Sequence, residues 1–563
     1  MFILNKNLFK NKLKVLILIF CILMHLSSCA THRLYHWSAS YYKPADYNTI
    51  TANTKGKFAK LHYADGSVVV YQNWTIENHQ IKGLASKYDL QRNVVYHDQQ
   101  KTLPLTDVEF VETNQAVDFK DDRVPLVVIS AIATVLVGGI CVVAFLYTGK
   151  ACFGSCPTIY GNPEALGSIL AESFSDAIAK SLENQDIDPL LGVRANENQN
   201  IELAITNEAY ESHLIKKMDL LAFDPKQGHE IYHQGDRFFE ISQKRKMDRC
   251  QHLEDQTDCL VAIEKEDQSE ALSKTSEKDL GLKESYRLAV DFHQHTNQDQ
   301  SFHLGDRYAL TLSLRNSLLN TFLFYQAWAW LGAKAGDWLA RLNQAQNPNE
   351  MFSKISKIFG DLQVNARLNE GDQKGDWVNI GAYDEIGPIA KERVLFEVPQ
   401  NWIELMVQKP SQKWSIEFDL LASRSNYRID MAQFVKLEKE HQPRVVPLNS
   451  LKNQDGTINE LGTKTLLEGK RHFLIQSAEH FILSYHDQKA TANTQYFLAA
   501  TGYYLEWMQK GWLGEASEDR LIDLMVNPEQ TLKDLAPAYK QIEPFIDQEF
   551  WNTRVKKKDG IRK

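Results

Sequence analysis

Alternation of apolar and polar residues over short runs, the period of a half-buried β-strand, recurs through most of the 563-residue chain. It is clear first in residues 57–63 (KFAKLHY), 67–74 (SVVVYQNW), 93–97 (NVVYH) and 103–114 (LPLTDVEFVETN). The Asp65-Gly66 step between the first two runs is a hairpin signal, because glycine takes the positive φ of a tight turn. Roughly five or six strands of ordinary length fit here, so residues 29–118 read as a small β barrel or sandwich.

The pattern resumes after residue 151. Ile201, Leu203 and Ile205 alternate, and residues 218–223 form a further apolar run before the Asp224-Pro225 turn, giving a β-rich domain over 151–242. Residues 243–285 turn charged and poor in aromatics, which suggests a solvated connection. Residues 286–515 then read as a β-sandwich-like domain, with strands at 308–316 (YALTLSLRN), 394–398 (VLFEV), 402–407 (WIELMV), 414–422 and 427–434. Inside it, Trp328, Leu331, Ala335, Trp338 and Leu342 recur at three and four residue steps and predict a helical insertion. Tyr503, Tyr504, Trp507 and Trp512 show helical spacing and read as core. Residues 516–563 read as a helical segment with a basic tail, opened in part by Pro528-Glu529. The expected fold is therefore multidomain and mainly β with α additions.

One run breaks the alternation. Residues 124–147 are long enough to cross a bilayer as a helix, since about 20 apolar residues suffice. The start of the chain constrains that reading. Lys6, Lys10, Lys12 and Lys14 precede the apolar stretch 15–24, and Leu26-Ser27-Ser28-Cys29 follows it, as in a bacterial lipoprotein signal over residues 1–28 with Cys29 as the lipidated residue. A lipid-anchored N-terminus outside the cytoplasm would let a single crossing within 119–150 carry the rest of the chain into the cytosol.

Cysteine placement argues against that outcome. Cys152 and Cys156 lie four apart, and Cys250 and Cys259 bracket a polar loop, so each pair can close as a short-loop disulfide in an oxidising compartment. If they do, residues 124–147 either dip into the lipid and return, broken at Gly138-Gly139, or lie on the membrane or against the protein.

Bulk values narrow the function class. Hydrophobic content of 43%, charged content of 24% and a net charge of -9 fit globular domains, with no basic face suited to nucleic acid. One motif invites catalysis: residues 229–233 (HEIYH) match the H-E-x-x-H pattern of zinc hydrolases, with His229 and His233 as ligands and Glu230 as base. That chemistry needs a helix, and turn compositions at 224–228 and 234–236 leave room for a strand, in which Glu230 would point away from both histidines. His293, His295 and His303 form a second set with metal-binding residue types, without an acidic or cysteine partner placed by the sequence. No phosphate loop, dinucleotide fingerprint or nucleophile elbow is present. No cofactor is implied.

Residues 152–165 (CFGSCPTIYGNPEA), 170–190 and 201–224, with 312–326, Gly387-Pro388, 426–430 (NYRID) and 502–513 (GYYLEWMQKGWL), resemble a family of uncharacterised envelope lipoproteins of Gram-negative bacteria. The resemblance implies a lipobox, a small β domain ending near Glu112-Thr113-Asn114, an apolar segment and a β-rich C-terminal region. It implies no activity. The expectation is a non-enzymatic envelope protein, held at the outer membrane by lipid on Cys29 and in contact with lipid through 124–147, whose partners are other envelope proteins or glycans. The alternatives are the zinc hydrolase and a glycan-binding module.

Overall fold

A computed structural model describes residues 34–42, 47, 58–63, 68–88, 94–119, 156–161 and 169–546, apart from 210, 268, 293–301, 333–334, 357, 386–389, 507, 510–514 and 545. Cys29, Cys152, His293, His295 and the run 124–147 lie outside the described residues.

The architecture is multidomain and mainly β with helical additions, built from four sheets and a closed barrel. The N-terminal sheet runs 508–509, 34–42, 108–119, 58–63, 68–77, 80–88, 94–104. Ala59, Leu61, Val69, Tyr71, Ile81 and Val111 alternate onto one side as its core. Its edge strand Met508–Gln509 comes from far along the chain and pairs with His36 and Trp37. The closed barrel lies elsewhere.

Two five-stranded sheets share the largest core. One has the order 448–453, 480–486, 200–206, 158–160, 169–172, and the other 444–446, 211–223, 495–506, 184–189, with 473–475 also paired to 211–223. The strand Glu211–Phe223 is apolar and buried along most of its length, as a strand covered on both faces must be. Helices cover this core. Leu318–Leu331 is buried on nearly every side, which explains why its sequence has no polar face; the Ser317 side chain caps it by accepting from Leu319 N. Pro528 opens Pro528–Ile542 at a position where no N–H is needed, and Pro537 inside the same helix sits on its exposed side.

The barrel is formed by 230–234, 237–246, 427–441, 307–316 and 392–397, and closes where His233 pairs with Val394 in parallel. Tyr232, Phe239, Ile241, Ala309, Leu395 and Val435 fill its interior. Against it lies a six-stranded sheet of order 257–258, 249–252, 283–292, 414–423, 362–370, 378–383.

Several boundaries and elements differ from the sequence expectation. Strands from 158–223 pair with strands from 444–506, so no division falls at residue 242. The charged stretch 243–285 is an edge of the six-stranded sheet and not a bare connection, with Arg249–His252 paired to 283–292. It reads as solvated because an edge strand keeps charge toward water. Residues 400–408, expected as a strand, form a helix after Pro399, burying Ile403 and Met406 three positions apart. Tyr503 and Tyr504 are buried as expected, but in the strand Gln495–Glu506, not a helix. Gly502 explains part of this: its strand approaches so closely that a Cβ there would lie 2.6 Å from Leu214 O.

Candidate functional site

The pentapeptide at 229–233 forms no helix. Glu230–Gln234 is a barrel strand, so His229, Ile231 and His233 take one side and Glu230 and Tyr232 the other. Glu230 pairs with Lys244 and with Arg393, whose Nη1 lies 3.2 Å away. His233 instead stacks against Phe238 and meets Phe497 edge-on. Burial lowers its pKa, a neutral imidazole among aromatic rings. The zinc-hydrolase geometry, with both imidazoles and the glutamate on one face, is not formed.

His229 has a different partner. Its Nδ1 is 2.6 Å from Glu240 Oε1, and His441 Nε2 is 2.6 Å from Glu240 Oε2. The Lys226 N–H adds a third bond to this buried carboxylate. Burial pushes the Glu240 pKa up, but hydrogen bonds from His441, Lys226 and His229 outweigh it and hold the group below the usual range. His229 lines a cleft of about 490 Å³ together with Gly228, Ser242, Gln243, Lys244 and Glu438. The cleft is polar and Glu438 is already bonded by Ser242.

A second constellation lies where all four structures of the C-terminal region meet. Glu172 ends one five-stranded sheet, Asp186 and Asp188 sit on the edge strand Asn184–Pro189 of the other, Glu385 follows the edge strand Val378–Tyr383 of the six-stranded sheet, and Glu392 opens a barrel strand. Glu172, Asp188 and Glu392 are at most 2% exposed, while Asp186 and Glu385 are partly open to solvent. Ser173 Oγ donates to Asp188 Oδ2 at 2.6 Å, and the Phe174 and Ile187 N–H groups donate to Asp186 at 2.6 and 2.8 Å.

These carboxyls perturb one another. Burial first, and then nearby Asp176, raises Asp186 to about 6, while burial and the neighbouring carboxylates of the group hold Asp188, Glu385 and Glu392 well above the ordinary range. Tyr383, 5% exposed, feels Glu385, Glu392 and Asp186, and its hydroxyl has no hydrogen-bond partner. Among the described residues, no three His, Cys, Asp or Glu side chains are already gathered as metal ligands.

A smaller buried acid group joins Glu211, bonded to His213 at 2.6 Å, with Glu506, which accepts from the Tyr325 hydroxyl. Burial raises Glu506 to about 8. Cys250 and Cys259 are joined by a disulfide with Cα atoms 5.1 Å apart, closing the hairpin of 249–252 and 257–258. Cys156 is buried. His303 lies in the loop before Arg307–Asn316, its N–H donating to Asp306 Oδ2 at 3.0 Å. Among the described residues, no helix is long and apolar enough to cross a membrane.

Neither the protein-family models nor the curated proteins include a match to this chain. Among solved structures, BuGH86 in complex with neoagarooctaose aligns with a TM-score of 0.14 and 8% identity over 45% of this chain. A variant of the same protein in the same complex aligns equally, at TM-score 0.14 and 8% identity. This chain spans about a third (34%) of the length of BuGH86, and a likeness at that level carries no argument about fold or activity.

Proposed function

We propose that the protein is a lipid-anchored component of the bacterial cell envelope, a β-rich scaffold that presents surfaces to other envelope proteins or to glycans. The observation that carries this reading is the Cys250–Cys259 disulfide at the edge of the six-stranded sheet. Such a bond persists in an oxidising space and is rare where thioredoxin and glutathione keep thiols reduced. It agrees with the lipobox-like Leu26-Ser27-Ser28-Cys29, which would deliver the chain to that space. The strand geometry at 229–233 weighs against the zinc-hydrolase alternative, because Glu230 faces away from both histidines.

Thiol trapping in intact cells tests the compartment. Cells quenched with an alkylating reagent before lysis are expected to yield the linked Cys250–Cys259 peptide. Alkylated free thiols at both positions would overturn the reading.

A further inference from the structure

We propose that the open face of the six-stranded sheet, centred on Trp377, binds a neutral oligosaccharide. This rests on the reading of the protein as an envelope component that presents surfaces to glycans, and narrows it to one face and one class of ligand.

Strand alternation divides the sheet. Leu288, Val290, Val364, Ile416 and Phe418 turn to the core shared with barrel strands. The positions between them, Arg287, Asn365, Arg367, Glu417 and Asp419, therefore share the other face. Register sets them side by side: Asp419 stands opposite Arg287 on one neighbouring strand and Asn365 on the other, and Glu417 stands opposite Arg367.

Trp377 joins this face from the edge, one residue before the strand Val378–Tyr383. Its ring centre is 4.4 Å from the Arg367 guanidinium and 5.1 Å from that of Arg287. Those two arginines stand on strands separated by a third, so the indole reaches across the face and does not stay at its rim. It is 37% exposed, which leaves a large ring open to a ligand while two cation–π contacts fix its place.

The charges here are spent on one another. Arg367 Nε donates to Glu417 at 2.8 Å, Arg287 Nη2 to Asp419 at 3.2 Å, and Arg249 Nη2 to Asp291 at 2.9 Å. These three arginines and three carboxylates cancel, so a polyanion gains little by docking on them. A protein partner would need an apolar centre, whereas this face sets Trp377 and Leu421 among polar groups.

A neutral polyhydroxylated chain suits what is present. Planar donors and acceptors are held by their neighbours, and one aromatic ring is available for the apolar side of a sugar. Asn379 Nδ2 donates to Asn365 Oδ1 at 3.1 Å and to Gln363 Oε1 at 3.2 Å, and among the described residues nothing takes up the amide N–H groups of Asn365 and Gln363, which stay free to donate to hydroxyls. Side chains ordered beforehand lose less entropy on binding. The five strands from 249–252 to 378–383 span about 19 Å at ordinary sheet spacing, room for an oligosaccharide and more than one ring needs.

Isothermal titration calorimetry of the full-length, detergent-solubilised protein with cellotetraose and with chitotetraose tests the assignment. The wild type is expected to bind at least one of them with a dissociation constant below ~10⁻³ M. Trp377→Ala, at an exposed position, is expected to weaken that binding by ~10-fold or more with circular dichroism unchanged, and Asn379→Ala to weaken it by less. Heparin, a polyanion, is expected not to bind. Absence of tetrasaccharide binding by the wild type, equal binding by the wild type and Trp377→Ala, or heparin binding that Trp377→Ala abolishes overturns the proposal. Thiol trapping in cells is independent of this result. A linked Cys250–Cys259 peptide without tetrasaccharide binding removes the glycan face and leaves the envelope reading, whereas free thiols with binding intact remove the envelope reading alone.

Discussion

His229 Nδ1 lies 2.6 Å from Glu240 Oε1, across a hairpin, so the first histidine of the H-E-x-x-H pattern is committed to a carboxylate outside the pattern. Glu240 holds His441 in the same way, and the three side chains tie the barrel hairpin of 230–234 and 237–246 to the end of strand Tyr427–His441 beside the cleft. A shared carboxylate fixes both rings, a role in packing that requires no metal.

Replacing His441 with alanine leaves a buried carboxylate short of one donor, and is expected to cost about 1–3 kcal/mol near neutral pH. Urea unfolding measures this. The native pKa of Glu240 is depressed, so its contribution is present above the unfolded value near about 4.3 and is lost as pH falls through the native value. The difference between wild type and His441→Ala should therefore shrink in acid. A difference that grows in acid would contradict the clamp.

The four-carboxylate junction has the opposite sign. Its pKa values are raised in the native state by burial, Asp186 to about 6 and Asp188, Glu385 and Glu392 well above the ordinary carboxylate range. The native state thus holds more protons than the unfolded chain, and stability falls as pH rises from about 4 through 6 and beyond. Asp188→Asn is expected to be more stable than the wild type at about pH 8 and equal to it below about pH 4. Thermal melts across that range check the prediction.

Breaking the Cys250–Cys259 bond opens a loop with a sequence separation of 9. Chain-entropy arguments put the loss at about 2–3 kcal/mol. A Cys250→Ala, Cys259→Ala double variant compared with the wild type in guanidinium unfolding should show a loss of this size. The same comparison under reducing conditions should show almost none.

Gly502 faces the backbone of its neighbouring strand, and an added Cβ would lie 2.6 Å from Leu214 O and 3.0 Å from Phe174 Cζ. Gly502→Ala is expected to destabilise the fold by about 1–3 kcal/mol through overpacking. Calorimetry would register it as a lower melting temperature.

Much of the β architecture is legible in the sequence because alternation reports burial directly. Residues 58–63 and 68–77 pair across the Asp65-Gly66 step as the pattern predicts, and residues 230–234 form the strand that the flanking turns imply. The carboxylate junction was not legible. Asp186 and Asp188 show only as two acids on one side of a short strand, and Glu385 and Glu392 lie some two hundred positions away, brought close by sheet packing alone. The Glu240 clamp was hidden for the same reason, since His441 reaches it from 201 residues along the chain. Residues 400–408 misled because an amphipathic helix of 9 residues offers a short apolar run that also suits a strand.

The central proposal is that the chain is anchored by lipid on Cys29 in a non-reducing envelope space. Metabolic labelling with an alkyne fatty acid, followed by capture of the protein, tests it most directly. Label is expected in the wild type and none in Cys29→Ser; equal label in both, or none in either, would overturn the lipid anchor.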